Sequence, residues 1–220
     1  MGRNDWFRRS TWTPEDQEAF WTRLRRSRSD EGRAQYLRIQ AWHLEAAGLV
    51  DAAMELLEAH IRDFPASLGV AQVHCQIASC REKKGDISGA LSELRIALAF
   101  QQDHPRVLTR AFFEFARVAA EHNVKQVYDE VLRYHAERAQ RAGRTGVLAL
   151  FPLDKYLLSG ALAVIQASRG DLPAARQLAK AALAAADDRT SPFRYHRDVG
   201  RVENTDTQLH RQVVALAGDC

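Results

Sequence analysis

Ala41, Ala78, Ala116 and Ala163 each stand seven residues ahead of a residue suited to a left-handed turn, namely Gly48, Gly85, Asn123 and Gly170. A chain that returns to the same small residue and the same turn is an array of similar units, and that reading comes before any motif. The early spacing is regular: Gly48 to Gly85 and Ala53 to Ala90 are both 37 residues. Glycine takes positive φ without steric cost, and asparagine is the next most tolerant residue there. Each turn residue is therefore expected to end one helix and admit another.

The flanking patterns agree. Thr13-Pro14-Glu15-Asp16 is a helix start, with a capping hydroxyl, proline in the first turn and acids at the positive end of the dipole. Phe20, Trp21 and Leu24 carry that helix to about Ser27. Helices are then predicted over Glu31 to Ala47 and Val50 to Asp63, the latter striped with Ala53, Leu56, Leu57, Ile61 and Phe64 and closed by Pro65. Three further pairs follow: Gly69 to Lys84 with Ile87 to Phe100, Val107 to His122 with Lys125 to Arg141, and Lys155 to Arg169 with Leu172 to Ala186. Residues 141–146 read as a loop, as does the polar stretch from Ser191 to Asn204. Thr205 to Leu216 reads as a final helix with Leu209, Val213, Val214 and Leu216 apolar. Only 12 Gly and 6 Pro in 220 residues suit a helical chain.

These pairs resemble tetratricopeptide repeats, which have a small residue in the first helix, glycine at the turn, and alanines in the second helix. The second unit carries Ala78, Gly85, Ala90, Leu94 and Ala97, and the fourth Ala163, Gly170, Ala175 and Ala182. The first has Ala41, Gly48, Ala53, Leu57 and Pro65, with His60 at the second alanine position. The third has Asn123 at the turn and Tyr128 at the first alanine position. The resemblance implies an all-α, right-handed superhelical solenoid of antiparallel helix pairs. Its expected parts are a capping segment over 1–33, four pairs over 34–190 (34–67, 68–104, 105–142 and 153–187), and a C-terminal loop and helix over 191–220. Trp6, Trp12, Trp21 and Trp42 all fall in the first fifth of the chain. They form either an aromatic lid on the first pair or an anchor-rich binding surface.

Little points to catalysis. There is no glycine-rich phosphate loop, nucleophile elbow or HExxH. Cys75 and Cys80 lie five apart, about 140° around a helix, which disfavours a shared metal. No catalytic residue, cofactor or metal is expected. Three cysteines, no secretory leader and no apolar run of membrane-spanning length suit a reducing cytoplasm, and 26 Arg against 5 Lys suit the coding bias of a GC-rich bacterial genome. A net charge of +3 does not by itself call for nucleic acid. Arg23, Arg25, Arg26 and Arg28 read as a solvated helix end, and with Arg8 and Arg9 they form the alternative, a nucleic-acid-binding helix.

By the resemblance, the first helix of each pair lines a groove. Its residues here are Arg38 and Trp42, then Gln72, Cys75, Gln76 and Ser79, then Arg110, Phe113 and Arg117. Arginine, amide and aromatic groups suit an extended peptide of acidic character. Family members that grip a C-terminal carboxylate use Lys and Asn where Arg38 and Trp42 stand, so that ligand is not expected. In the fourth pair the same positions are Leu157, Gly160, Val164 and Ala167, a stripe that should not face water. Either the C-terminal loop and helix cover it or a second copy of the chain does. The expected function is a non-catalytic protein- or peptide-binding scaffold. A regulatory or immunity-type module that sequesters a partner is the alternative within the same class.

Overall fold

The computed structural model describes residues 5–145, 149–191 and 193–218; Gly146, Pro192 and Cys220, each part of an expectation above, lie outside them. Among the described residues all regular structure is helical: α1 (Pro14–Arg25), α2 (Asp30–Ala46), α3 (Val50–Asp63), α4 (Val70–Lys83), α5 (Ile87–Asp103), α6 (Ala111–Glu121), α7 (Tyr128–Thr145), α8 (Pro152–Ser168), α9 (Leu172–Asp187) and α10 (Gln208–Gly218). Single 3-10 turns occupy Asp5–Phe7 and Lys125–Val127. The chain divides into two compact units, Met1–Ala111 and Phe112–Cys220.

The four turn residues do what their chemistry predicts. Gly48, Gly85, Asn123 and Gly170 have φ of 82°, 80°, 52° and 84°. In each case the next residue's N–H reaches back to a carbonyl five residues earlier: Leu49 to Leu44 (2.9 Å), Asp86 to Arg81 (2.9 Å), Val124 to Ala119 (2.8 Å) and Asp171 to Gln166 (3.0 Å). The turn residue's own N–H bonds the carbonyl three back, which completes a Schellman closure. At two turns the residue after glycine also starts the next helix. Asp86 accepts from the Gly89 N–H (2.9 Å) and Asp171 from the Ala174 N–H (3.1 Å). The alanines that announced these turns, Ala41, Ala78, Ala116 and Ala163, are all buried. Small residues at these positions let paired helices approach closely.

Some boundaries differ from the sequence reading. Helix α7 runs through Arg141 to Thr145, where a loop was expected. Arginine and alanine are strong helix formers, and one interior glycine costs only about 1 kcal/mol. Helix α6 begins at Ala111 rather than Val107. The preceding backbone is engaged otherwise, because Gln101 Nε2 bonds the Val107 carbonyl (2.8 Å) and Thr109 Oγ1 accepts from the Ala111 N–H (3.1 Å). Helix α10 starts at Gln208, three residues later than expected, with Thr207 Oγ1 accepting the His210 N–H (3.1 Å).

In the first unit, the N-terminal aromatics form a lid. Phe20 is fully buried, with the rings of Trp6, Trp12 and Trp21 at centroid distances of 5.5, 5.4 and 5.4 Å. Tyr36 of α2 meets Trp6 (4.9 Å) and Phe7 (4.7 Å). Gln40, also fully buried, clamps the chain entering the lid: it accepts from the Arg9 N–H (3.0 Å) and donates to the Arg9 carbonyl (2.8 Å). Buried Asp16 is held by Arg9, by Thr11 Oγ1 (2.7 Å) and by the Thr13 N–H (3.2 Å). The Thr11 hydroxyl bond holds its carboxyl below the usual carboxylate range.

In the second unit, Phe115 meets Tyr134 across α6 and α7 (5.8 Å). Helices α8 and α9 pack through alanines, with Ala175, Ala179 and Ala182 fully buried. Helix α10 lies against both α8 and α9. A side chain at Gly160 would meet Val213 at 3.1 Å and Leu209 at 3.3 Å, so glycine there is what lets α10 seat. The α10 N-terminus is anchored by Glu121, whose Oε1 accepts the Leu209 N–H (3.2 Å). The apolar stripe of the fourth pair is thereby covered within one chain, with Leu157 and Val164 buried.

Candidate binding face

Helices α2 and α4 are neighbours, and the carboxylate of Glu45 ties them together. Buried Glu45 Oε1 accepts from Ser79 Oγ (2.5 Å) and Lys83 Nζ (2.7 Å). The Glu45–Ser79 pair is 34 residues apart, and so is Cys75–Thr109, which the next segment makes through sulfur at 3.6 Å. Each helix follows its predecessor through a folded-back turn, so α2 and α4 run the same way. The 34-residue register therefore sets Trp42 level with Gln76 and Arg38 level with Gln72.

The expected groove residues sort as follows. Trp42 is 54% exposed and stands outside the aromatic lid. Arg38 is half-buried, and burial alone holds its guanidinium below its ordinary value; among the described residues no carboxylate pairs with it. Gln72, Cys75 and Ser79 are half-buried on α4. Gln76 is 7% exposed, and its Oε1 has no hydrogen-bond partner among the described residues. A buried acceptor left bare costs roughly 1–3 kcal/mol, so it is a natural place for a ligand donor. These six residues share one face of the first unit.

The third set is divided between the two units. Arg110 belongs to the first unit and Phe113 and Arg117 to the second. Phe113 is only 4% exposed, under the guanidinium of Arg138 at 5.6 Å from its ring centroid, and is core rather than groove. Arg117 bonds Glu114 (2.7 Å) and Glu121 (2.6 Å) on its own helix, and so steadies the carboxylate that anchors α10. Its i−3 and i+4 acids engage it before any external acid can. Of the basic N-terminal set, Arg9 is committed to Asp16, while Arg23, Arg25, Arg26 and Arg28 are exposed.

Sequence reasoning missed Glu45 and Lys83, which organise the face. The available signal was an acid on the buried side of α2, one residue past Leu44 and 34 ahead of a serine. His74, which stands beside Cys75 in the sequence, was not matched there with its partner: its Nδ1 meets Glu93 Oε2 at 2.7 Å between α4 and α5. Among the described residues no three His, Cys, Asp or Glu side chains converge on a metal position. Cys80 is buried and its thiol is pushed up to about 12 by burial, so it stays protonated.

Under the face lies His60. Its Nδ1 donates to the Ala34 carbonyl (2.9 Å), and its buried Nε2 has no partner among the described residues. Burial holds the imidazole below its ordinary 6.5, with the Ala34 carbonyl and Glu31 opposing and Arg38 and His74 reinforcing. The folded state thus prefers the neutral ring. Its contribution to stability is complete above the unfolded value of 6.5 and is lost as pH falls from there toward the lowered folded value. As pH falls from about 7 to 5.5, His60→Leu should lose less stability than the parent in urea unfolding. Parallel losses in both proteins would contradict this.

No protein-family profile matches the chain, no curated protein matches it significantly, and no solved structure matches it significantly. No helix among the described residues is long and apolar enough to cross a membrane.

Proposed function

We propose that the α2–α4 face binds an extended, acidic peptide segment of a partner protein, and that the chain is a non-catalytic binding module. The observation that carries this reading is Arg38, a half-buried guanidinium with no carboxylate partner among the described residues, one helical turn from the exposed indole of Trp42. A carboxylate can take both prongs of a guanidinium while an adjacent apolar group covers the indole. The bare Gln76 Oε1 can accept a backbone N–H from the same segment. The four repeated Schellman closures and the 34-residue register support a tetratricopeptide-like, right-handed solenoid as the frame. The test is an array of peptides that vary in acidity and aromatic content, probed with the full chain. Acid-containing peptides should be retained, and Arg38→Ala and Trp42→Ala should each weaken them by about tenfold or more. Equal retention by both variants would reject this face.

A further inference from the structure

The loop after α9 carries a surface that the α2–α4 reading does not use. Residues 193–197, Phe-Arg-Tyr-His-Arg, are all exposed, and Tyr195 is 83% exposed. The loop is nevertheless built. The Ser191 hydroxyl shares its one proton between the carbonyls of His196 (3.0 Å) and Val199 (3.1 Å), and its oxygen accepts the Phe193 N–H (3.3 Å). The Phe193 ring rests on Phe151 at 5.7 Å. At the far end Gly200, with φ 82°, sits so close to Phe151 that any side chain would overlap the ring, and its carbonyl accepts the Leu153 N–H (2.8 Å). An aromatic ring held in water on an anchored loop has its ordering cost already met before a ligand arrives.

The charges of this loop are equally specific. Arg201 pairs with Asp198 (2.7 Å) and Arg211 with Asp206 (2.8 Å). Asp188 is occupied by the Thr190 N–H (2.8 Å). No ion pair engages Arg189, Arg194 or Arg197 among the described residues, and Arg194 lies over the Tyr195 ring at 5.5 Å.

We propose that this loop binds single-stranded nucleic acid, with Tyr195 stacking on a base and Arg189, Arg194 and Arg197 meeting phosphates. Phe193-Arg194-Tyr195-His196-Arg197 interleaves rings with cations, which suits a polymer that presents both bases and phosphates. A flipped-out base presents a π-face to Tyr195 whatever its identity, so recognition is tolerant of sequence. A duplex keeps its bases stacked inward and offers only phosphates. A lipid surface would call for a larger apolar wedge: one side of Phe193 rests on Phe151, and Tyr195 ends in a hydroxyl. This surface belongs to the second unit, so its test is independent of the α2–α4 face.

The test is fluorescence anisotropy of the full chain with labelled oligo(U) and oligo(dT) of about 12 nucleotides. A duplex of equal length, phosphatidylserine-rich vesicles and poly-glutamate serve as competitors. Single strands should bind and displace best, with log affinity falling against log salt at a slope of about −2 for three phosphate contacts. Tyr195→Ala should weaken binding about 5- to 20-fold with the salt slope kept, because stacking is uncharged. The double change Arg194→Ala and Arg197→Ala should flatten the slope by about 1.4. All three side chains are exposed, and unchanged thermal melting will establish that the variants are folded. The proposal is overturned if single strands do not bind or if Tyr195→Ala binds like the parent. It is also overturned if duplex, vesicles or poly-glutamate compete as well as single strands.

Discussion

Phe20→Ala should cost the first unit about 3–5 kcal/mol, the range for deleting a large aromatic from a closed site. The ring is completely buried, and three tryptophans surround it. They cannot all collapse into the gap. Trp6 is also held against Tyr36, and Trp12 precedes and Trp21 lies within the helix whose start is fixed by the Thr13–Asp16 capping box. The loss combines apolar transfer, a residual cavity and edge-on ring contacts worth roughly 0.5–1.5 kcal/mol per pair. The measurement has a convenient reporter. All four tryptophans lie at or before position 42, so indole emission in urea follows the first unit alone. Trp42→Ala, at a 54% exposed position, should move the midpoint little and serves as the control. A Phe20→Ala loss below about 1 kcal/mol would show that the lid is not packed as described.

Leu209→Asp should release α10 from the second unit. Leu209 and Val213 are the buried apolar residues of that helix, and burying a side chain of this size gives roughly 1.5–3 kcal/mol each before ordering costs. An unpaired carboxylate under α10 costs a comparable amount or more. The cheaper state is the one in which the helix leaves, so the cost is capped by the docking free energy. In hydrogen exchange, residues 208–218 should lose protection while α8 and α9 keep theirs. The uncovered Leu157, Gly160 and Val164 face should then make the protein associate with rising concentration. Val214→Asp, on the exposed side of the same helix, should do neither. Unchanged α10 protection in Leu209→Asp would refute the docking.

The turns and pairs were legible because their signals are local. A left-handed φ selects glycine or asparagine at one position, and a small residue seven positions earlier marks a close helix approach; both can be seen without knowing any partner. The apolar stripe at Leu157, Gly160 and Val164 was legible for the same reason, and its incompatibility with water pointed to a cover. The residues of the proposed face were only half legible. The repeat register placed Arg38 and Trp42 one turn apart on α2 and Gln76 on α4, but nothing in the sequence distinguishes a half-buried arginine from a solvated one. Arg117 shows why. Read as a groove residue, it instead pairs with Glu114 and Glu121 on its own helix, and Glu121 in turn holds the start of a helix 88 residues further on. Glu45 was overlooked because a charge on a buried stripe becomes intelligible only when Ser79 and Lys83 arrive from another helix.

The Schellman closures join residues five apart, and Glu45 meets α4 within 38 residues, but α10 reaches back 88 residues to Glu121 and 92 to Ala120. Local contacts close quickly, whereas distant ones wait on the entropy of a long loop. During synthesis the paired helices can form while the seat for α10 is still vacant. For the time needed to add residues 169–218, about 3–10 s at typical elongation rates, Leu157 and Val164 have no internal cover. In that interval the nascent chain offers an apolar surface to chaperones, and later the finished protein hides it.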